Sequence, residues 1–222
     1  MKRIIASLAI VASTVNALAQ GEVGSFNFQP KVGMNISHFM EESNVPRFGL
    51  TAGLEWEYQV SKRIGLSFAL LYSMQGAKAK GNGILWNYIP NSQNYLSVAS
   101  ITGTATAKMN YLQLPIMANV YIAKGLAIKA GIQGGLNVCA NYKSSITLAD
   151  GLEQVDIKNS GKLSDLGIEA KEFVLSVPVG VSYEFHDFVV EGRYNIGISK
   201  VVKNNCTRNN VFQLMVGKKI GR

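Results

Sequence analysis

Cysteine is almost missing: Cys139 and Cys206 are the only two in 222 residues. That excludes a disulfide scaffold, although an oxidising compartment permits one bridge. Histidine is as scarce, with His38 and His186 alone, and no His/Cys cluster has the spacing of a zinc site. No phosphate-binding loop occurs, and Gly131-Ile132-Gln133-Gly134-Gly135 lacks the spacing of a dinucleotide site. No cofactor or metal is expected. No apolar run reaches the roughly 18 residues that a membrane helix needs. Acidic residues are few, 14 against 22 Lys and Arg, for a net charge of +8.

The first residues explain part of that charge. Lys2 and Arg3 precede an apolar stretch from Ile4 to Val15, and Ala17-Leu18-Ala19 has the small-x-small pattern that signal peptidase reads. The expected division is a signal peptide over 1–19 and one domain over 20–222. No Cys stands at the cleavage point to carry lipid. An exported chain rarely meets nucleic acid, so none is expected as a partner. The anionic surface it does meet is lipopolysaccharide phosphate.

The mature chain alternates at period two. Phe48, Leu50, Ala52, Leu54, Trp56, Tyr58 and Val60 are apolar, with Gly49, Thr51, Gly53, Glu55, Glu57 and Gln59 between them. Such a run exceeds the ~5–6 residues of an ordinary strand and fits the 9–11 of a membrane-spanning one. The same grammar predicts strands over 26–36, 64–76, 110–122, 126–139, 172–185, 188–199 and 211–220. With the run at 48–60 the total is eight, and an even number suits a closed bacterial barrel. Short turns near 61–63, 123–125 and 186–187 alternate strictly with longer connections at 37–46, 77–109, 140–171 and 200–210. Outer-membrane barrels sort their loops in this way, short in the periplasm and long outside. Outward aromatics gather toward both ends: Phe26, Phe28, Trp56, Tyr58, Tyr183, Phe185 and Phe188 below, Phe48, Tyr72 and Phe212 above. The predicted fold is all-β: an eight-stranded, antiparallel, up-and-down transmembrane barrel with a filled polar lumen.

Strand parity turns a set of charges inward. Lys31, Glu55, Glu57, Lys129, Glu191 and Arg193 fall at middle or lower depth, Glu184 lower still, and Arg47 nearer the mouth. An eight-stranded barrel is just wide enough for side chains to fill it, so these charges are expected to pair and plug it. Cys139 and Cys206 both fall at the extracellular rim, where a bridge would stabilise by about 4 kcal/mol in the chain-entropy model. Among the long loops, 77–109 carries Lys78, Lys80 and Lys108 without an acid, and 200–210 adds Lys200, Lys203 and Arg208. This basic rim is expected to meet lipopolysaccharide. Alternation in Ile84, Trp86, Tyr88 and in Leu96, Val98 predicts that part of 77–109 extends as a hairpin. The 140–171 loop is mixed in charge and yields no expectation.

Pro30-Lys31-Val32-Gly33-Met34-Asn35, the strand around Gly53-Leu54-Glu55, Leu71-Tyr72-Ser73-Met74-Gln75-Gly76 and Tyr111-Leu112-Gln113-Leu114-Pro115-Ile116 together resemble the PorT-like outer-membrane β-barrels of Bacteroidota. The resemblance covers essentially the whole mature chain and implies a Gram-negative outer-membrane location; its motifs specify architecture more than activity. The expectation is a monomeric, non-enzymatic barrel with no open pore. Its role is structural or interactive through the loops 77–109, 140–171 and 200–210, where a protein partner has room to dock. Two alternatives remain at this stage. One is a lipid-modifying enzyme using His38 with Ser37 or Ser43 and Glu41 or Glu42. The other is a soluble, lipocalin-like binder, which needs apolar residues inside.

Overall fold

The computed structural model describes residues 22–39, 44–86, 98–150, 153–202 and 208–221. Nine strands run through them: β1 (Phe26–Phe39), β2 (Asn44–Ser61), β3 (Ile64–Trp86), β4 (Val98–Ala123), β5 (Leu126–Asp150), β6 (Glu153–Lys162), β7 (Phe173–Phe185), β8 (Phe188–Gly197) and β9 (Asn209–Lys218). All pairings are antiparallel: neighbours in sequence pair except β6 with β7, β5 pairs with β7 instead, and β1 pairs with β9. Eight strands therefore close a ring, and β6 stands outside it as a partner of β5 alone. Closure leaves the ring itself without an open backbone edge, which is what lipid demands of a spanning sheet.

The alternation in sequence becomes the two faces of the wall. Phe48 is 71% exposed, Ile132 64% and Val138 63%, while Glu55, Gln59, Ser73, Gln213 and Arg193 are buried inside. A soluble barrel around an apolar ligand has the opposite polarity, so the lipocalin-like alternative is overturned. Backbones approach closely where the inward residue is glycine. A Cβ at Gly53 would lie 2.0 Å from the Leu70 carbonyl, and one at Gly131 the same distance from that of Ile116. Gly134 and Gly135 instead make room for the Phe173 ring and the Val174 side chain.

Tight turns join the strands at one end: Phe185 pairs directly with Phe188, and Ala123 with Leu126. Gly125 in the second of these turns has φ 78°, a conformation that costs glycine little. Aromatic rings gather near this end, with Trp56 stacked on Phe68 at 5.2 Å and tilted against Phe28 at 5.6 Å.

At the other end the strands run further than the sequence suggested. β1 continues to Phe39, which removes His38 from the expected loop. The expected loop at 77–109 is largely a hairpin, since β3 and β4 stay paired from Ala77↔Ala107 to Trp86↔Val98; residues 87–97 lie outside the described part. Within 140–171, β5 runs on to Asp150 and turns back as β6, in register from Asp150↔Glu153 to Asn141↔Lys162. A short 3-10 helix, Leu163–Leu166, follows. A four-stranded extension thus rises above the ring. A bulge in β5 at Val138 lies at its base: Tyr111 pairs with Asn137 but Asn110 with Cys139.

Candidate functional site

The lumen holds the densest chemistry. Parity sends Lys31 inward from β1, Glu55 from β2, Lys129 from β5, and Glu191 with Arg193 from β8. Their ends meet in one cluster. Lys31 Nζ lies 2.8 Å from Glu55 and 2.6 Å from Glu191; Lys129 Nζ lies 2.6 Å and 3.1 Å from the same two carboxylates. Arg193 bridges both acids, donating from Nε to Glu191 at 2.7 Å and from Nη2 to Glu55 at 3.3 Å. Each carboxylate therefore answers three cations. The five residues are 0–3% exposed, so no water column passes at this level.

Three of the residues expected in this network stand apart from it. Glu57 belongs to a layer below, where it accepts from Gln29 at 3.1 Å and from the Tyr121 hydroxyl. Glu184 sits at the strand end and pairs with Lys219 at 2.9 Å. Arg47 is near the mouth, where its guanidinium donates to the Gln75 carbonyl. Depth separates them: all three point inward, but at levels the central cluster does not reach.

Above the ionic layer lies one that charge counting missed. Asn195 donates to Gln213 at 2.9 Å, and Gln213 to Gln113 at 3.2 Å. The Ser73 hydroxyl accepts from Asn35 and from Gln75, each at 2.9 Å. Asn209 donates to Gln75 at 2.7 Å and Gln133 to Ser176 at 3.1 Å. The signal was present in sequence, since residues 35, 73, 113, 133, 195 and 213 occupy inward parity. Met109, Tyr111, Leu163 and Val201 close the top as an apolar cluster.

The remaining candidates scatter. Cys139 is half-buried with a free thiol that accepts from Asn141 at 3.1 Å, while Cys206 lies outside the described residues. The basic rim divides. Lys78, Lys80 and Lys108 share the extension, Lys200 follows β8, Arg208 precedes β9, and Lys203 is outside the described residues. Ser37 turns inward to bond Gly76, and alternation puts the adjacent His38 on the opposite face. Ser37 and His38 therefore do not form the pairing that the enzymatic alternative used, and Glu41, Glu42 and Ser43 lie outside the described residues.

A closed antiparallel ring, apolar outside and ionic within, defines an integral outer-membrane barrel. The chain belongs to the outer membrane protein beta-barrel domain family, whose model matches residues 18–203. Its location is the bacterial outer membrane. Among solved structures it is similar to Ail, the attachment invasion locus protein of Yersinia pestis. That match has 11% identity over 89% of this chain and 99% of that one, with a TM-score of 0.40. It is also similar to Neisserial surface protein A, with 14% identity over 88% and 97% and a TM-score of 0.39. A third is the outer membrane protease OmpT of Escherichia coli, with 11% identity over 90% and 98% and a TM-score of 0.31. No curated protein matches the chain. None of these structures is similar enough to lend its activity.

Proposed function

We propose that the protein is a closed, non-enzymatic outer-membrane barrel whose task is to hold its outer extension and loops above the membrane. The observation that carries this reading is the buried ionic layer of Lys31, Glu55, Lys129, Glu191 and Arg193. A conducting pore needs its charges wetted, whereas these are sealed from water and paired with one another. The stability built into the lumen serves a rigid base for the strands that project above it. Within the family, the Pro30–Asn35, Leu71–Gly76 and Tyr111–Ile116 segments support membership of the PorT-like branch of Bacteroidota. Export as a precursor, cleaved before Gln20, belongs to the same reading.

Purified protein in a planar lipid bilayer is expected to pass almost no current. Steady, large single-channel steps from the folded protein would overturn the closed-barrel reading and make it a pore.

A further inference from the structure

The outer extension is two-faced, and its faces differ in charge. Register places Lys78 beside Thr106 and Lys80 beside Thr104 on β3 and β4. It then places Lys108 beside Asn141, Thr106 beside Lys143, and Thr104 beside Ser145 on β4 and β5. On β6, Lys158 faces Ser145, Ser160 faces Lys143, and Lys162 faces Asn141. All of these residues share one side of the sheet. The opposite side carries Ala77, Ala79, Ala105, Ala107, Met109 and Ala140.

Among the described residues the basic side has few counter-ions; Asp165 accepts from the Lys162 backbone N–H at 3.0 Å at one corner. Among the described residues, Asp156 is the carboxylate in register with this face, and it accepts from Thr147 at 2.7 Å. None of the six lysines is ion-paired with a described residue. They crowd one another instead: the Lys108 ammonium is held below its ordinary value, by burial first and then by the charges of Lys143, Arg47 and Lys78. A depression of about 330 Å³ opens between Lys143 and Lys158, lined by Thr104, Thr106, Ser145 and Ser160. Ammoniums supply charge and hydroxyls supply donors, the pair of functions that phosphate oxygens take up.

The orientation selects the source of the phosphate. This side continues the lipid-facing wall: Tyr72, Leu112 and Leu136 form an apolar row with Val138 just above it, Lys78, Lys80, Lys108 and Lys143 stand on the same strands beyond, and Lys158 and Lys162 stand on the adjoining β6. Strand rise and tilt put them about 10–20 Å above that row. They look sideways, toward molecules anchored in the same leaflet, rather than up into bulk solution.

We propose that this lysine face, centred on Lys108, Lys143 and Lys158, is a lateral docking site for the phosphorylated saccharide headgroup of lipopolysaccharide. The site rests on the outer-membrane barrel reading and gives its extension a ligand.

The test uses full-length protein folded in detergent, titrated with detergent-dispersed lipopolysaccharide before and after phosphatase treatment, and separately with inorganic polyphosphate. The double variant Lys108→Gln, Lys143→Gln is expected to bind intact lipopolysaccharide on the order of tenfold more weakly. Phosphatase treatment should weaken wild-type binding to a similar degree. Lys200→Gln with Arg208→Gln, elsewhere on the rim, should bind as wild type. Should the first pair fail to fold, Lys80→Gln with Lys158→Gln, farther from the ring, takes its place. Wild-type affinity in the lysine variants would overturn the site. Equal or tighter binding of polyphosphate would also overturn it, by assigning the face to a soluble polyanion. Bilayer conductance is read on the same preparation, so loss of this site leaves the closed-barrel reading standing or falling on its own measurement.

Discussion

Arg193 shows how much one side chain can hold. Its guanidinium joins two carboxylates on different strands in a volume water does not enter. Truncation by Arg193→Ala leaves Glu55 and Glu191 with two lysines between them and a gap where the fork was. Urea unfolding in lipid vesicles is expected to show a loss of about 3–5 kcal/mol, the usual result of breaking a buried ion pair from one side. The double variant with Glu191→Gln should lose less than the two single losses together, because Arg193 and Glu191 bond each other directly. Additive losses would mean that the two side chains do not act as a unit. Gly131 makes a different demand, for space rather than charge. Gly131→Ala drives a methyl into the neighbouring carbonyl, so the strands must part, and a loss of about 1–3 kcal/mol is expected in the same assay.

At the scale of elements, the membrane-spanning parts were legible in sequence, as was a hairpin within 77–109, but the β5–β6 hairpin was not. A strand crossing lipid has one face in hydrocarbon and one in a polar lumen, so its alternation is stark: Leu54, Trp56 and Tyr58 against Glu55, Glu57 and Gln59. Above the membrane both faces meet water. The code then weakens to Lys against Ala in 77–80 and to Ser against Ile in 144–146, which reads as an ordinary loop. The β5–β6 hairpin nevertheless left a trace, with Ile146 and Leu148 before Asp150-Gly151 and Val155 and Ile157 after it. Ion pairing inside was readable as parity; which charges share a depth was not, because depth depends on the register of strands far apart in the chain. The hairpin also bears no part of the ring, since β5 joins β7 only through 126–136. Replacing 143–160 by a short turn is expected to leave the unfolding midpoint of the barrel within experimental scatter. A marked fall would mean that the extension braces the wall. The rim thiols belong to this scale too. With its thiol free in the structure, Cys139 is expected to be labelled by alkylation without reductant; protection of both Cys139 and Cys206 would instead establish a bridge between β5 and the last long loop.

For the whole molecule, the apolar belt and the ionic interior together imply behaviour that no single strand has. The folded protein should need detergent to stay in solution, and should migrate differently on gels before and after boiling, because the closed ring resists the denaturant until heated. Identical migration would count against closure. That closure depends on the pairing of β1 with β9, from Lys31↔Gly217 to Phe39↔Asn209. The first strand to emerge during synthesis waits for the last, and the ionic layer likewise needs residues from both halves of the chain. No partial barrel is a resting place, since each would expose two bare backbone edges to hydrocarbon. The polypeptide must therefore be carried across the periplasm unfolded and shielded by something else, and inserted only once the ten residues of β9 have arrived. A chain that loses β9 has no slower route to the same structure; its fate is aggregation or proteolysis.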